Sequence, residues 1–183
     1  MTLIDNITTE PTLLIAALAL LVSVISIFTS FYGLWLQRKH NRLSVRPIGN
    51  IGTRDGVNLL SISVVNNGTG PMIIKSVEIS NDQGIKKNYP IDWIPQEDQS
   101  KISFWKDLED VALSKGNGIE LFNYSYDLNN KNLVQLNANV ELREKLRSIL
   151  KDLTIRIKYK DIYGKDQPEF SKKLDIFGRK NFF

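Results

Sequence analysis

The one histidine of this chain, His40, sits among Arg38, Lys39 and Arg42, and there is no cysteine at all. That excludes a thiol nucleophile, a thiolate zinc site and disulfides, and it leaves no Ser/His/Asp constellation: a catalytic base needs a partnered nucleophile, and a ligating imidazole needs fellow ligands. Carboxylates gather twice, at Glu97 with Asp98 and at Asp107, Glu109 and Asp110. Such groups bind a divalent cation or cleave a glycosidic bond only where they converge in a pocket. Placed between strands, they are expected to be solvated loop residues. Gly68 and Gly70 flank Thr69 as in a phosphate loop, yet no lysine follows and the next element is a strand, so the segment reads as a turn. Three cations, Arg156, Lys158 and Lys160, alternate with Ile155, Ile157 and Tyr159. They form a candidate patch for an anionic partner, either lipid headgroups or an acidic protein, or else they guard an exposed strand edge. No cofactor and no metal site is expected, and the chain is read as non-enzymatic. An enzyme acting on a lipid or cell-wall precursor would require convergent carboxylates.

The element that must position everything else is the run from Leu13 to Leu36, 24 residues without a charge. At ~1.5 Å rise per residue it is long enough to cross a hydrocarbon core of ~30 Å with some tilt. Its small residues Ala16, Ala19, Ser23, Ser26, Ser30 and Gly33 recur at spacings of three and four, which puts them on one seam suited to another helix. Tyr32 and Trp35 supply an aromatic band, and Arg38, Lys39 and Arg42 a basic stop, so these five are read as interface anchors. A cleaved signal peptide would instead carry a basic n-region and a shorter apolar stretch. The short tail before the span holds Asp5 and Glu10 and the cations follow it. The positive-inside rule therefore places residues 1–12 outside and the following domain in the cytoplasm, as a single-pass protein of the cytoplasmic (inner) membrane.

Past a basic linker, residues 37–46, the pattern switches from helical to alternating. From Pro47 onward there are 20 basic and 18 acidic residues, so the overall charge of +4 reports mostly the juxtamembrane cluster and no specific nucleic-acid partner is expected. Val57–Asn66 places Leu60, Ile62 and Val64 on one face; Asn67-Gly68 then predicts a tight hairpin turn into Met72–Ser80, with Ile73, Val77 and Ile79 inward. Further strands are expected around Ile48, over Tyr89–Ile94, Lys101–Trp105, Ile119–Tyr126, Leu153–Tyr159 and Phe170–Phe177. Asn139 reads as the N-cap of an amphipathic helix over about 140–151, with Leu142, Leu146, Ile149, Leu150 and Leu153 recurring at helical spacing and Asn129–Asn139 a loop. The pairs Glu141 with Lys145 and Glu144 with Ser148 or Arg147 are expected on its outer side. Together these predict a mainly β chain: one transmembrane helix, then an immunoglobulin-like β-sandwich over 47–178 with one inserted helix, and a short tail, 179–183.

Two segments, Asn67 to Pro71 between strands and Tyr159-Lys160-Asp161-Ile162-Tyr163-Gly164, resemble bacterial single-pass membrane proteins in which an N-terminal helix anchors a small β-sandwich. The resemblance implies turn geometry, with Asp161 closing a turn, and no catalytic residue. The functional expectation is a membrane-anchored interaction module that forms a homo-oligomer through its helix and presents the sandwich to a protein partner. The alternative is an oligomeric membrane effector, with Ser23, Ser26 and Ser30 lining a wet path.

Overall fold

The computed structural model describes residues 11–129 and 131–179; the tail expected at 179–183 lies almost wholly outside them, as does most of that at 1–12. Two units separate between Ser44 and Val45. The first is α1, Pro11–Ser44, a helix of 34 residues with none buried, apolar and long enough to span a membrane. It runs through Gln37–Ser44, most of the expected linker. No glycine or proline interrupts that stretch, and the next helix-breaking residue is Pro47.

The second unit is two antiparallel sheets packed as a sandwich. One has the order β1 (Gly49–Asp55), β2 (Leu59–Asn66), β7 (Gly118–Ser125), β5 (Ser103–Phe104); the other has β4 (Lys86–Lys87), β3 (Met72–Asn81), β8 (Leu153–Lys160), β9 (Phe170–Lys173), with β6 (Ala112–Leu113) also on β3. A one-turn α2 (Gln96–Gln99) and α3 (Leu133–Leu150) complete it. Helix makes up 38% of the chain and strand 31%, because α1 alone is so long; "mainly β" describes only the second unit.

Leu60, Ile62 and Val64 are buried as the alternation predicts. The expected hairpin does not form: β2 and β3 lie in different sheets, and Asn67–Pro71 carries the chain across between them. Within β3 the inward set is Met72, Ile74, Val77 and Ile79. A bulge at Lys75 reverses the phase, so Ile74 and not Ile73 points inward. Tyr89–Ile94 is a 3-10 turn, Pro90–Trp93, since Pro90 lacks the N–H a ladder needs. The strand expected over Phe170–Phe177 ends at Lys173 and gives way to a second such turn at Asp175–Gly178.

Helix α3 begins seven residues earlier than Asn139 predicts. Asn132 is the cap, its Oδ1 accepting the N–H groups of Val134 and Gln135 at 3.1 and 3.2 Å. The stripe Leu142, Leu146 and Leu150 is buried, whereas Ile149 is only partly so. Lys145 pairs with Asp98 at 2.7 Å and Glu97 at 3.3 Å, not with Glu141; Glu144 does meet Arg147, at 2.9 Å.

Tyr124 Oη donates to the Asn139 carbonyl at 3.0 Å, tying the middle of α3 to β7. Burial pushes this phenol up from 10.0 to about 12, with the negative charge of Tyr126 and Asp98 adding to it. An unfolded chain ionises Tyr124 first, so its contribution is complete below pH 10.0 and is lost as pH rises through about 12. Unfolding midpoints measured across that alkaline window should fall more steeply for the parent than for Tyr124→Phe.

On the open edge of β1, Lys172 from β9 donates to the Ile51 carbonyl at 3.0 Å and to Thr53 Oγ1 at 2.9 Å. One backbone carbonyl and one side-chain hydroxyl of the edge strand are thus taken by this ammonium.

Candidate functional site

Ala16, Ala19, Ser23, Ser26, Ser30 and Gly33 fall within an arc of ~100° at 100° per residue, one side of α1. Each serine hydroxyl is satisfied within the helix: Ser23 donates to the Ala19 carbonyl, Ser26 to Val22 and Ser30 to Ser26, all at 2.8 Å. Ser26 and Ser30 line a shallow groove with Ile27, Phe31 and Leu34. The seam is a depression with no outstanding hydrogen-bond demand, a shape that lets a second backbone approach. On the opposite side of α1, Tyr32 stacks on Trp35 with ring centroids 6.1 Å apart, and Lys39 Nζ lies 5.4 Å from the Trp35 ring. Arg38, Lys39, His40 and Arg42 are all exposed on the last turns of α1.

Arg156, Lys158 and Lys160 do share the outward face of β8. The strand is not an edge: β3 and β9 pair with it on either side. Edge protection therefore cannot be their task. Nor are they a bare cationic surface. Lys160 meets Asp110 at 2.9 Å, and Arg156 lies 3.7 Å from Glu78 and 3.6 Å from Glu169. Lys158 borders a shallow cleft with Lys75, Asp166 and Glu169, where Lys75 and Asp166 pair at 2.9 Å. Alternating charge on a solvated sheet face is what these residues make.

The carboxylate clusters are likewise dispersed. Asp107 lines a cleft of about 270 Å³ with Lys75, Tyr89 and Glu109, and its Oδ1 accepts from Tyr89 Oη at 3.4 Å. Asp110 turns to Lys160, and Glu97 and Asp98 to Lys145. Among the described residues no three His, Asp or Glu side chains come together as a metal-ion group.

Three features carry more weight than these. The first is a buried ion cluster at the end of the sandwich covered by α3: Asp55 bonds Arg143 Nη2 at 2.5 Å and Arg147 Nε at 3.1 Å, with side chains only 4%, 7% and 12% exposed. Arg143 Nε also donates to the Gly56 carbonyl at 2.9 Å. The signal was present in the sequence, since Arg143 and Arg147 share a helix side with Leu142, Leu146 and Leu150, but their partner lies some 90 positions away.

The second is an apolar surface on the first half of α3, where Leu133, Val134 and Val140 are exposed, Val134 by 81%. No charged residue occurs between Asn132 and Val140.

The third lies at the opposite end, where the domain receives the chain from Ser44. Asn66, fully buried, accepts the Ile48 and Gly68 N–H groups at 3.3 and 2.9 Å and donates to the Gly70 and Leu113 carbonyls at 2.7 and 2.9 Å. A Cβ on Gly70 would lie 1.8 Å from the Val45 carbonyl oxygen, and one on Gly68 2.3 Å from the Ile48 nitrogen. These glycines are required by close approach of the incoming segment; positive φ among glycines falls at Gly84, Gly116 and Gly164 instead.

The chain matches no protein-family model, and no curated protein matches it.

Proposed function

We propose that this is a non-enzymatic, membrane-anchored interaction module that associates with further copies of itself through α1 and presents its sandwich, immunoglobulin-like in its two-layer antiparallel build, to a protein partner. The observation that carries the reading is the pairing of a 34-residue apolar helix, unburied along its length and grooved at Ser26 and Ser30, with a folded domain whose carboxylates are dispersed. Confinement to a bilayer raises the effective concentration of each copy for its neighbours, so a weak helix contact suffices for assembly. The basic residues after the span and the acidic ones before it support an inner-membrane protein with the sandwich in the cytoplasm. The uncharged first half of α3 is the face offered to a partner, one whose own contact surface is apolar. This matches the resemblance to anchored single-pass sandwich proteins.

The effector alternative draws its support from polar residues on the seam. The intrahelical bonds of Ser23, Ser26 and Ser30 weaken that support, because hydroxyls already satisfied do not call for water.

Replacing Ser23, Ser26 and Ser30 together by leucine fills the groove. Crosslinking of the full chain in membranes should then shift from oligomer to monomer by about tenfold, the scale of a ~1–2 kcal/mol helix contact. Unchanged oligomers would rule out the seam. Leakage of vesicles by the parent and not by the triple variant would favour the effector.

A further inference from the structure

The turn after β8 has an unusual tip. The Asp161 side chain is buried; its Oδ1 accepts the N–H groups of Tyr163 and Lys165, both at 2.9 Å, and its Oδ2 accepts from Gln167 Nε2 at 3.0 Å. The Gly164 N–H closes on the Asp161 carbonyl at 3.0 Å, with φ +75°. One carboxylate thereby gathers the backbone donors of the turn inward. Ile162 and Tyr163 stand at its apex, 49% and 53% exposed. Turn apices favour Gly, Asn, Asp and Ser, each for a conformational reason, and nothing in this geometry calls for isoleucine.

The place of the tip in the fold identifies what it meets. Lys160 pairs with Ile73 at the start of β3, Met72 adjoins Gly49 at the start of β1, and Gly70 abuts Val45. The turn therefore belongs to the end of the sandwich that begins at Val45, the residue that follows α1. Ile48 and Arg46 are exposed at this same end. α1 continues eight residues beyond Leu36, or ~12 Å at 1.5 Å per residue, against a headgroup layer of roughly 5–8 Å. A lipid surface is thus within reach of this end by covalent attachment alone. Most of the nearby carboxylates are occupied, Asp161 by its own turn, Asp166 by Lys75 and Asp110 by Lys160, and exposed Glu109 also lies close to Lys160. Arg46 and Lys165 make no ion pair among the described residues and are free to meet anionic headgroups.

We propose that the Asp161–Lys165 turn is a lipid-docking tip, Ile162 and Tyr163 entering the interface of the membrane that holds α1 while Lys165 and Arg46 engage anionic headgroups. This rests on α1 being a membrane span. Isoleucine supplies the apolar part, tyrosine is a residue of membrane–water interfaces, and a lysine stem can lie along the apolar boundary with its ammonium in the headgroups. Docking at the tip adds a second point of attachment and so fixes how the domain is presented.

Because the chain lacks cysteine, single labels can be placed at will. Full-length Ile162→Cys, Gln83→Cys at the far end of β3, and Leu21→Cys in the apolar run would each carry an environment-sensitive fluorophore in phosphatidylcholine/phosphatidylglycerol vesicles containing brominated lipid. Lipid quenching should be at least about threefold stronger at position 162 than at 83, and Lys165→Glu should reduce it about twofold. Quenching at 21 with none at 162 would overturn the tip and leave the span intact. No quenching at 21 would overturn the span, and the tip with it. A blue-shifted label at 162 without lipid quenching would mean protein contact and would also overturn the proposal. Quenching that is equally strong in pure phosphatidylcholine would retain the insertion and overturn the anionic headgroup contact.

Discussion

Asp55→Ala will destabilise the protein by about 3–5 kcal/mol, the range for stripping a buried charge of its partner. Asp55 is the shared acceptor of two guanidinium groups, and both are largely out of water. Without it, Arg143 keeps the Gly56 carbonyl and Glu144, while Arg147 keeps Glu144 and the Arg179 carbonyl. Glu144 is half exposed and cannot balance both charges from outside. The loss is structural as well as electrostatic, since Asp55 joins the β1–β2 hairpin to α3, whose inner stripe is Leu142, Leu146 and Leu150. Urea unfolding of the full chain in detergent micelles, followed by tryptophan fluorescence, should show a lower midpoint at nearly unchanged slope. Replacing the whole set, Asp55→Leu with Arg143→Met and Arg147→Met, should cost much less than Asp55→Ala alone, because apolar groups of similar size replace a buried ion cluster more readily than one missing partner does.

Asn66→Ala should cost about 2–4 kcal/mol, since each buried group left unsatisfied costs about 1–3 kcal/mol and some will recover a partner by relaxation. Four backbone groups lose their partner at once, and two of them, at Ile48 and Gly68, belong to the segments that meet where the chain reaches the sandwich. Asn66→Asp should cost at least as much at neutral pH, because it keeps the acceptor that serves Ile48 and Gly68 but buries a carboxylate whose second oxygen faces the Gly70 and Leu113 carbonyls. Gly70→Ala attacks the same junction sterically, and the same unfolding assay should rank it with Asn66→Ala or below it in stability. A Cβ at 1.8 Å from a carbonyl oxygen has no rotamer to escape into, so the backbone itself must shift.

These positions show what could be read from the chain and what could not. The long helix, β2 with its inward Leu60, Ile62 and Val64, and the buried stripe of α3 follow from local periodicity, which is a property of neighbours in sequence. The inward face of β3 did not follow, because a one-residue bulge at Lys75 reverses parity and leaves no mark in composition. Asn67-Gly68 has the chemistry of a hairpin, yet what the fold demands there is space for Val45–Ile48 to pass. That demand comes from a tertiary neighbour. The start of α3 is ambiguous in the sequence because Asn132 and Asn139 are equally good caps, and the segment between them carries exposed apolar residues that imitate a loop only by lacking charge. For the candidate site, the placing of the small residues on one side of α1 is legible as spacing. The carboxylates that answer Arg156 and Lys160 were not, since they arrive from other strands and loops.

Lys172 bears on what the anchor allows. Molecules held in a bilayer are concentrated in a plane and meet edge to edge far more often than they would in solution, and an open β1 strand would give each encounter a template for zippering sheet to sheet into ribbons. With the Ile51 carbonyl and the Thr53 hydroxyl engaged by an ammonium, that template has one backbone acceptor taken and a charge beside it. If the protein is held in a membrane as proposed, one lysine on β9 opposes polymerisation through this edge and leaves assembly to the proposed helix contact.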